Sequence, residues 1–218
     1  MAVASKLTSL GIIVFSVALG LLSYYLMNDQ SEKQKKKHVE EVISQLVNFV
    51  IFIWLAKIIL NVGVFITDPL VVLAYPASSN AFYLAVLLSA LLLFYKAKRK
   101  QLDMRSFMET SLHTFLVASF VYEFFQLVWN GDEYAFGYVS VLAVLLAVYF
   151  LIHGRIGRDR LIIVMLTGWT AGILILSTLQ PFVAVFGYMV EVWFILLFYM
   201  ISLGLHIFYQ RKRGYNGN

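Results

Sequence analysis

Cysteine is absent from the 218 residues. That excludes disulfides, thiolate nucleophiles, iron–sulfur clusters, cysteine-ligated zinc and acylation of the protein's own thiols. Charge is also scarce: Asp, Glu, Lys and Arg make up 13% of the chain, against about 25% in a soluble domain. So few charges cannot cover a water-exposed surface of this size. A lone soluble enzyme is therefore excluded, and at 61% hydrophobic residues so is a disordered chain. The net charge is +5, but the basic residues form short clusters between long apolar runs. A nucleic-acid partner would require a surface patch or stripe instead. The sequence has no Gly-rich phosphate loop, no His-Glu-x-x-His and no Gly-x-Ser-x-Gly. It has no internal repeat of the solenoid or transporter kind.

What remains is hydrophobic length. Mean hydropathy is +0.81, and a membrane helix needs about 20 mostly apolar residues. The pattern predicts an all-α polytopic protein forming one integral membrane domain over residues 1–218, with spans near 7–27, 43–66, 79–95, 107–129, 135–153, 161–179 and 182–208. The last two are separated by Gln180-Pro181, and Pro181 suits the first turn of a new helix. The first run lacks a small-x-small cleavage site before Asn28 and is followed by lysines, which predicts a retained helix rather than a secretory signal.

The linkers alternate in charge. Lys33, Lys35, Lys36 and Lys37 follow the first span, and Lys96, Lys98, Arg99, Lys100 and Arg105 follow the third. Arg155, Arg158 and Arg160 follow the fifth, and Arg211, Lys212 and Arg213 close the chain. The intervening linkers carry no Lys or Arg, so fifteen of the 17 basic residues fall on one side, Lys6 and Lys57 being the exceptions. The positive-inside rule then predicts an outer N-terminus and a cytoplasmic C-terminus. The expected location is the plasma membrane of a bacterium.

Ionisable groups inside hydrocarbon need an account. Lys57, Glu123 and Glu191 fall in the second, fourth and seventh predicted spans, each about 10–14 Å below the outer boundary at 1.5 Å per residue. Helical spacing gives each a polar stripe: Trp54, Lys57 and Asn61; Ser119, Glu123, Gln126 and Asn130; Tyr188, Glu191, Tyr199, Ser202 and His206. Such stripes should face inward. Lys57, Glu123, Glu191, Gln126, Asn61 and Tyr188 are thus the candidate polar core or binding site. Three readings are open: an ion pair fixing helix register, a ligand or lipid-headgroup site, and a proton or ion path. One lysine against two glutamates leaves a carboxyl to be protonated or matched by another cation.

His113 reads as a hydrogen-bonded core histidine, and His153 and His206 lie near inner span ends, so neither a metal site nor a cofactor is expected. Gly168-Trp169-Thr170-Ala171-Gly172 permits close helix packing, within the bundle rather than between chains. Thr167, Thr170, Ser177 and Thr178 can bond within their own helix. Tyr24, Tyr25, Tyr75, Trp129, Tyr134 and Tyr209 lie near span ends, where interfacial aromatics are expected.

From about residue 43 to 213 the layout resembles the prolipoprotein diacylglyceryl transferases. Thr67-Asp68-Pro69-Leu70 is similar to that family's outer Asp-Pro-Leu, and Asn130-Gly131-Asp132 to its Asn-Gly-Glu. Lys96 to Lys100 matches a basic inner loop, and Gly154-Arg155-Ile156-Gly157 resembles the short basic turn before its sixth span. The resemblance implies seven helices, an outer N-terminus and access to phosphatidylglycerol and lipoprotein substrates. The family's His-Gly-Gly falls at Ala81-Phe82-Tyr83, and its arginine and first asparagine in the fourth span fall at Phe124 and Leu127. Its sixth-span arginine has no counterpart. A phosphate clamp needs cations, ideally Arg forks, and every Arg here falls on the predicted cytoplasmic side. The expectation is a relative lacking the transfer reaction that binds a lipid, a lipoprotein segment or another membrane protein. The rival expectations are a small transporter or proton-linked channel, weakened by the lack of broken midplane helices, and a structural subunit of a membrane complex.

Overall fold

The computed structural model describes residues 2–74, 76–99 and 101–215, with side chains described from 8 to 208 within those ranges. Tyr75 and Lys100 lie outside the described residues, as do the side chains of Lys6, Tyr209, Arg211, Lys212 and Arg213.

The chain is an all-α polytopic membrane protein. Its helices are α1 (Ala2–Met27), α2 (Glu32–Leu60), α3 (Val62–Thr67), α4 (Pro69–Ala74), α5 (Ser79–Lys98), α6 (Met104–Trp129), α7 (Ala135–Ile152), α8 (Arg158–Leu179) and α9 (Val192–Tyr215). One β-hairpin, β1 (Ala184–Val185) and β2 (Tyr188–Met189), precedes α9. Among the described residues, six helices (α1, α2, α5, α6, α7 and α8) are long and apolar enough to cross a membrane. Protein covers only 17% to 50% of the residues in their most apolar stretches. Leu22, Val50, Leu91, Val144 and Ile175 are among the large apolar side chains left exposed, an arrangement that suits lipid and not water.

The contacts divide the chain into two units, Met1–Val39 with Met104–Asn218, and Glu40–Asp103. In the smaller unit α2 stops at Leu60 because the Asn61 side chain donates back to the Lys57 carbonyl at 2.9 Å, competing with the helical ladder. The predicted span over 43–66 is thus two helices with a break. Asp68 restarts the chain: its Oδ1 accepts from Val71 N at 3.2 Å, with Pro69 in the first turn, where a missing N–H costs nothing. Ser78 caps α5 by accepting from Ala81 N at 3.3 Å.

In the larger unit α6 is the central element. Helix α1 lies antiparallel on it and approaches closely at Gly20, where a Cβ would meet the Thr114 carbonyl oxygen at 2.6 Å. Leu116, Leu142 and Met165 from α6, α7 and α8 are fully buried between the helices. The Gly168/Gly172 face packs inside the bundle, as expected: a Cβ at Gly168 would meet Leu145, and one at Gly172 would meet Val141, both on α7. Helix α6 ends where Asp132 N bonds the Gln126 carbonyl at 3.1 Å around Gly131, whose φ of 65° is the left-handed stop that glycine permits.

Two expectations are corrected here. Tyr24 is not interfacial; it is 1% exposed and shares a 3.0 Å hydrogen bond with His38 Nδ1. The seventh helix does not run from 182. Pro181 leads instead into the hairpin, with Ala184 opposite Met189 and Val185 opposite Tyr188. Phe186 and Gly187 form its two-residue turn at φ 50° and 81°, the sign pattern of the turns that match strand twist. Among the described side chains the apolar part of α9 covers Val192–Phe208, about 26 Å at 1.5 Å per residue.

Candidate functional site

The hairpin packs against the middle of α6. Phe186 sits against Phe115 (centroids 6.0 Å apart) and Tyr122 (5.4 Å), and Phe115 lies about 21 Å along α6 from Trp129. Val183 and Val185 beside it are buried, and Phe186 itself is half-buried. Irregular backbone at membrane depth is tolerated only where protein or a polar cavity surrounds it. Val190 N closes the base by donating to the Val183 carbonyl at 2.9 Å.

Beside the hairpin lies the polar face of α6. Glu123 is 5% exposed and Ser119 1%. The Glu123 Oε1 atom is buried and has no hydrogen bond among the described residues. The Tyr122 phenol pairs with the Gln126 side chain and lies within electrostatic range of Glu123, Tyr188 and Asp132. Tyr138 on α7 is 2% exposed and accepts from Trp169 Nε1 at 2.9 Å, which links α8 to the same cluster. Thr170 Oγ1, next to Trp169, is buried with no hydrogen bond among the described residues, whereas Ser177 and Thr178 do bond within α8. Thr167 reaches across to the Tyr199 hydroxyl at 3.0 Å.

Of the six predicted site residues, Glu123, Gln126 and Tyr188 come together here. Glu191 is not nine residues inside a helix. It precedes α9, is exposed, and its carbonyl accepts from Phe194 N and Ile195 N at 3.0 and 3.1 Å. The helix it was assigned to begins after it, so the equal-depth argument does not hold for this residue. Lys57 and Asn61 belong to the smaller unit, where Lys57 is 9% exposed and its ammonium donates to the Leu73 carbonyl at 3.0 Å. Asn61 is exposed.

A second polar assembly, at the other end of the larger unit, gave little sequence signal. Here α1 turns into α2 and α7 into α8. Arg158 lies 3.4 Å from the Glu109 carboxylate, which is buried in the first turns of α6. Arg105 bonds Asp159 at 2.8 Å, and His206 Nε2 stands 3.8 Å from the same carboxylate. With its amide oriented to satisfy its neighbours, Gln30 accepts from Arg158 at 2.8 and 3.0 Å and donates to His38 at 3.1 Å. His113 Nε2 pairs with Ser23 Oγ at 3.0 Å, as a hydrogen-bonded core histidine should, and its ring meets Tyr149 edge-on. Ion pairs thereby join α6, α8 and α9, and hydrogen bonds add α1 and the start of α2. The available sequence signal was the coincidence of Glu109 inside an apolar run with Arg158 at the start of another.

Among the described residues no group of three or more His, Asp or Glu side chains is placed to hold a metal ion. No family model, curated protein or solved structure matches this chain.

Proposed function

We propose that this chain crosses the bacterial plasma membrane seven times, N-terminus outside and C-terminus cytoplasmic, and binds a lipid or a lipoprotein segment without transferring it, as a divergent relative of the prolipoprotein diacylglyceryl transferases. One observation carries the reading: a buried Glu123 carboxyl with an unsatisfied oxygen, set among phenols next to a hairpin that enters the bundle from the end opposite the basic turns. A buried polar oxygen without a partner costs about 1–3 kcal/mol, and a bound polar group offsets that cost. The kinship rests on the order of the Asp-Pro-Leu, Asn-Gly-Asp and Gly-Arg-Ile-Gly turns along the helices. Loss of transfer is supported by cation placement: Arg105, Arg158 and Arg160 all lie in first helical turns, leaving no arginine fork at the depth of Glu123 among the described residues to hold a phosphate.

The test is mass spectrometry of lipids and peptides retained through mild purification, comparing the natural protein with Glu123→Gln. A lipid or lipopeptide retained by the first and reduced at least tenfold in the second supports the reading. Equal retention, or diacylglyceryl transfer to a lipobox peptide at a useful rate, overturns it. The second reading, a proton or cation path, gains from the same buried carboxyl and from the interrupted seventh crossing, a form found at transporter binding sites. Ion flux in proteoliposomes that Glu123→Gln abolishes, with no retained lipid, would favour that reading.

A further inference from the structure

The turns at the basic end divide their cations into two classes. Lys35 is held by Glu32 at 3.0 Å and lies over the Tyr25 ring, while Arg105 and Arg158 face Asp159 and Glu109. Those charges are neutralised within the protein. Lys33 and Lys36 in the first turns of α2, Arg155 in the α7–α8 turn and Arg160 in the first turn of α8 are different. All four are exposed, and among the described residues none has an ion pair or a side-chain hydrogen bond. Gln30, bonded to Arg158 from the α1–α2 turn, holds the two turns side by side, so the four charges share one rim. Asp29 and Glu32 are exposed carboxylates on the same turn, Glu32 being matched by Lys35, which leaves a positive excess.

We propose that this rim, Lys33, Lys36, Arg155 and Arg160, binds the phosphate headgroups of anionic lipids in the adjoining leaflet. Apolar neighbours distinguish a lipid from a soluble anion. Leu26 and Met27 end α1 at 71% and 49% exposure, Leu151 ends α7 at 62%, and Val164 lies one turn beyond Arg160 at 43%. The cations therefore stand immediately above side chains that face acyl tails, at headgroup level. A basic side chain near an anionic surface contributes about 1 kcal/mol, or about fivefold in affinity per charge. This rim lies at the opposite end of the unit from Glu123 and does not depend on the function proposed for that site.

The experiment uses the full chain in detergent, where membrane orientation no longer contributes to the readout. Native mass spectrometry would count adducts from equimolar phosphatidylglycerol and phosphatidylcholine. The expected result is at least tenfold enrichment of the anionic lipid, falling to near unity in K33Q/K36Q/R155Q/R160Q and weakening in high salt. All four positions are exposed, so the variant should keep its helical circular dichroism and whatever ligand Glu123 retains. A variant that fails to fold is replaced by the pairs K33Q/K36Q and R155Q/R160Q, each expected to lose about half of the logarithmic effect. The proposal is overturned if natural protein and folded variants retain the two lipids in the same ratio. It is also overturned if millimolar inorganic phosphate displaces the anionic lipid, since that would make the rim a soluble-anion site.

Discussion

Gly172 and Gly168 show how far one residue's surroundings decide its tolerance. Both lie in α8 against α7, and in both an alanine would gain helix propensity of about 1 kcal/mol. At Gly168 the obstacle is the Leu145 Cδ2 tip at 2.7 Å, the end of a side chain that can rotate. At Gly172 it is Val141 Cγ1, branched at Cβ and stiff. Gly168→Ala is therefore expected to be nearly neutral. Gly172→Val should destabilise by about 1–3 kcal/mol, the usual cost of overpacking. Thermal unfolding in detergent checks both; equal effects would mean that α7 adjusts its position rather than its side chains. The Gly-x-x-x-Gly spacing was legible in the sequence as a packing face. Which glycine matters more was not, because that depends on the facing residue of another helix.

At the scale of elements, the seventh crossing departs most from the sequence pattern. Residues 182–208 read as one apolar run because Phe182, Val183, Val185, Phe186 and Val190 have the composition of a membrane helix. Hydropathy reports burial, however, and a hairpin packed inside a bundle is buried too. The discriminating signal was Gly187, which with Phe186 can take positive φ, and the β-branched valines around it. A phenylalanine held at φ 50° is strained by about 1–3 kcal/mol, offset by its packing on Phe115 and Tyr122. Gly187→Val adds a second strained residue and drives a side chain toward the Tyr122 hydroxyl, 3.0 Å from the Cβ position. It should lower the unfolding temperature by several degrees and reduce ligand retention along with Glu123→Gln. Phe186→Asn, which tolerates the turn but loses the ring contacts, should lower stability without the backbone penalty. If Gly187→Val behaves like the natural protein in both measurements, the hairpin is not a fixed part of the site. The Asn61 break in the second span was missed for a related reason: one polar side chain bonding its own backbone barely changes a hydropathy average.

Across the whole molecule, charge placement was the most legible feature and helix partnership the least. The long apolar runs gave α1, α5, α6, α7 and α8 to within a few residues at most ends, since a stretch of about 20 apolar residues in lipid has few alternatives to a helix. The pairing of Glu109 with Arg158 joins residues far apart in the chain, and that of Tyr24 with His38 joins consecutive helices; no local pattern connects either. The proposed orientation can be tested without reference to any of these contacts. It rests on the clusters at 33–37, 96–105, 155–160 and 211–213, each following an odd-numbered crossing, with no Lys or Arg in the linkers between. Single cysteines at Ser31, Gln101 and Ser78 report the three relevant linkers against a background with no native cysteine. On intact cells an impermeant thiol reagent should label Ser78→Cys alone, and permeabilised cells should label all three. Labelling of Gln101→Cys with none at Ser78→Cys would invert the topology. It would place the basic rim on the outer face and return Glu123 to the cytoplasmic half. Labelling of Ser31→Cys together with Ser78→Cys would mean that α2 does not cross, which would reduce the number of crossings and break the alternation on which the positive-inside argument depends.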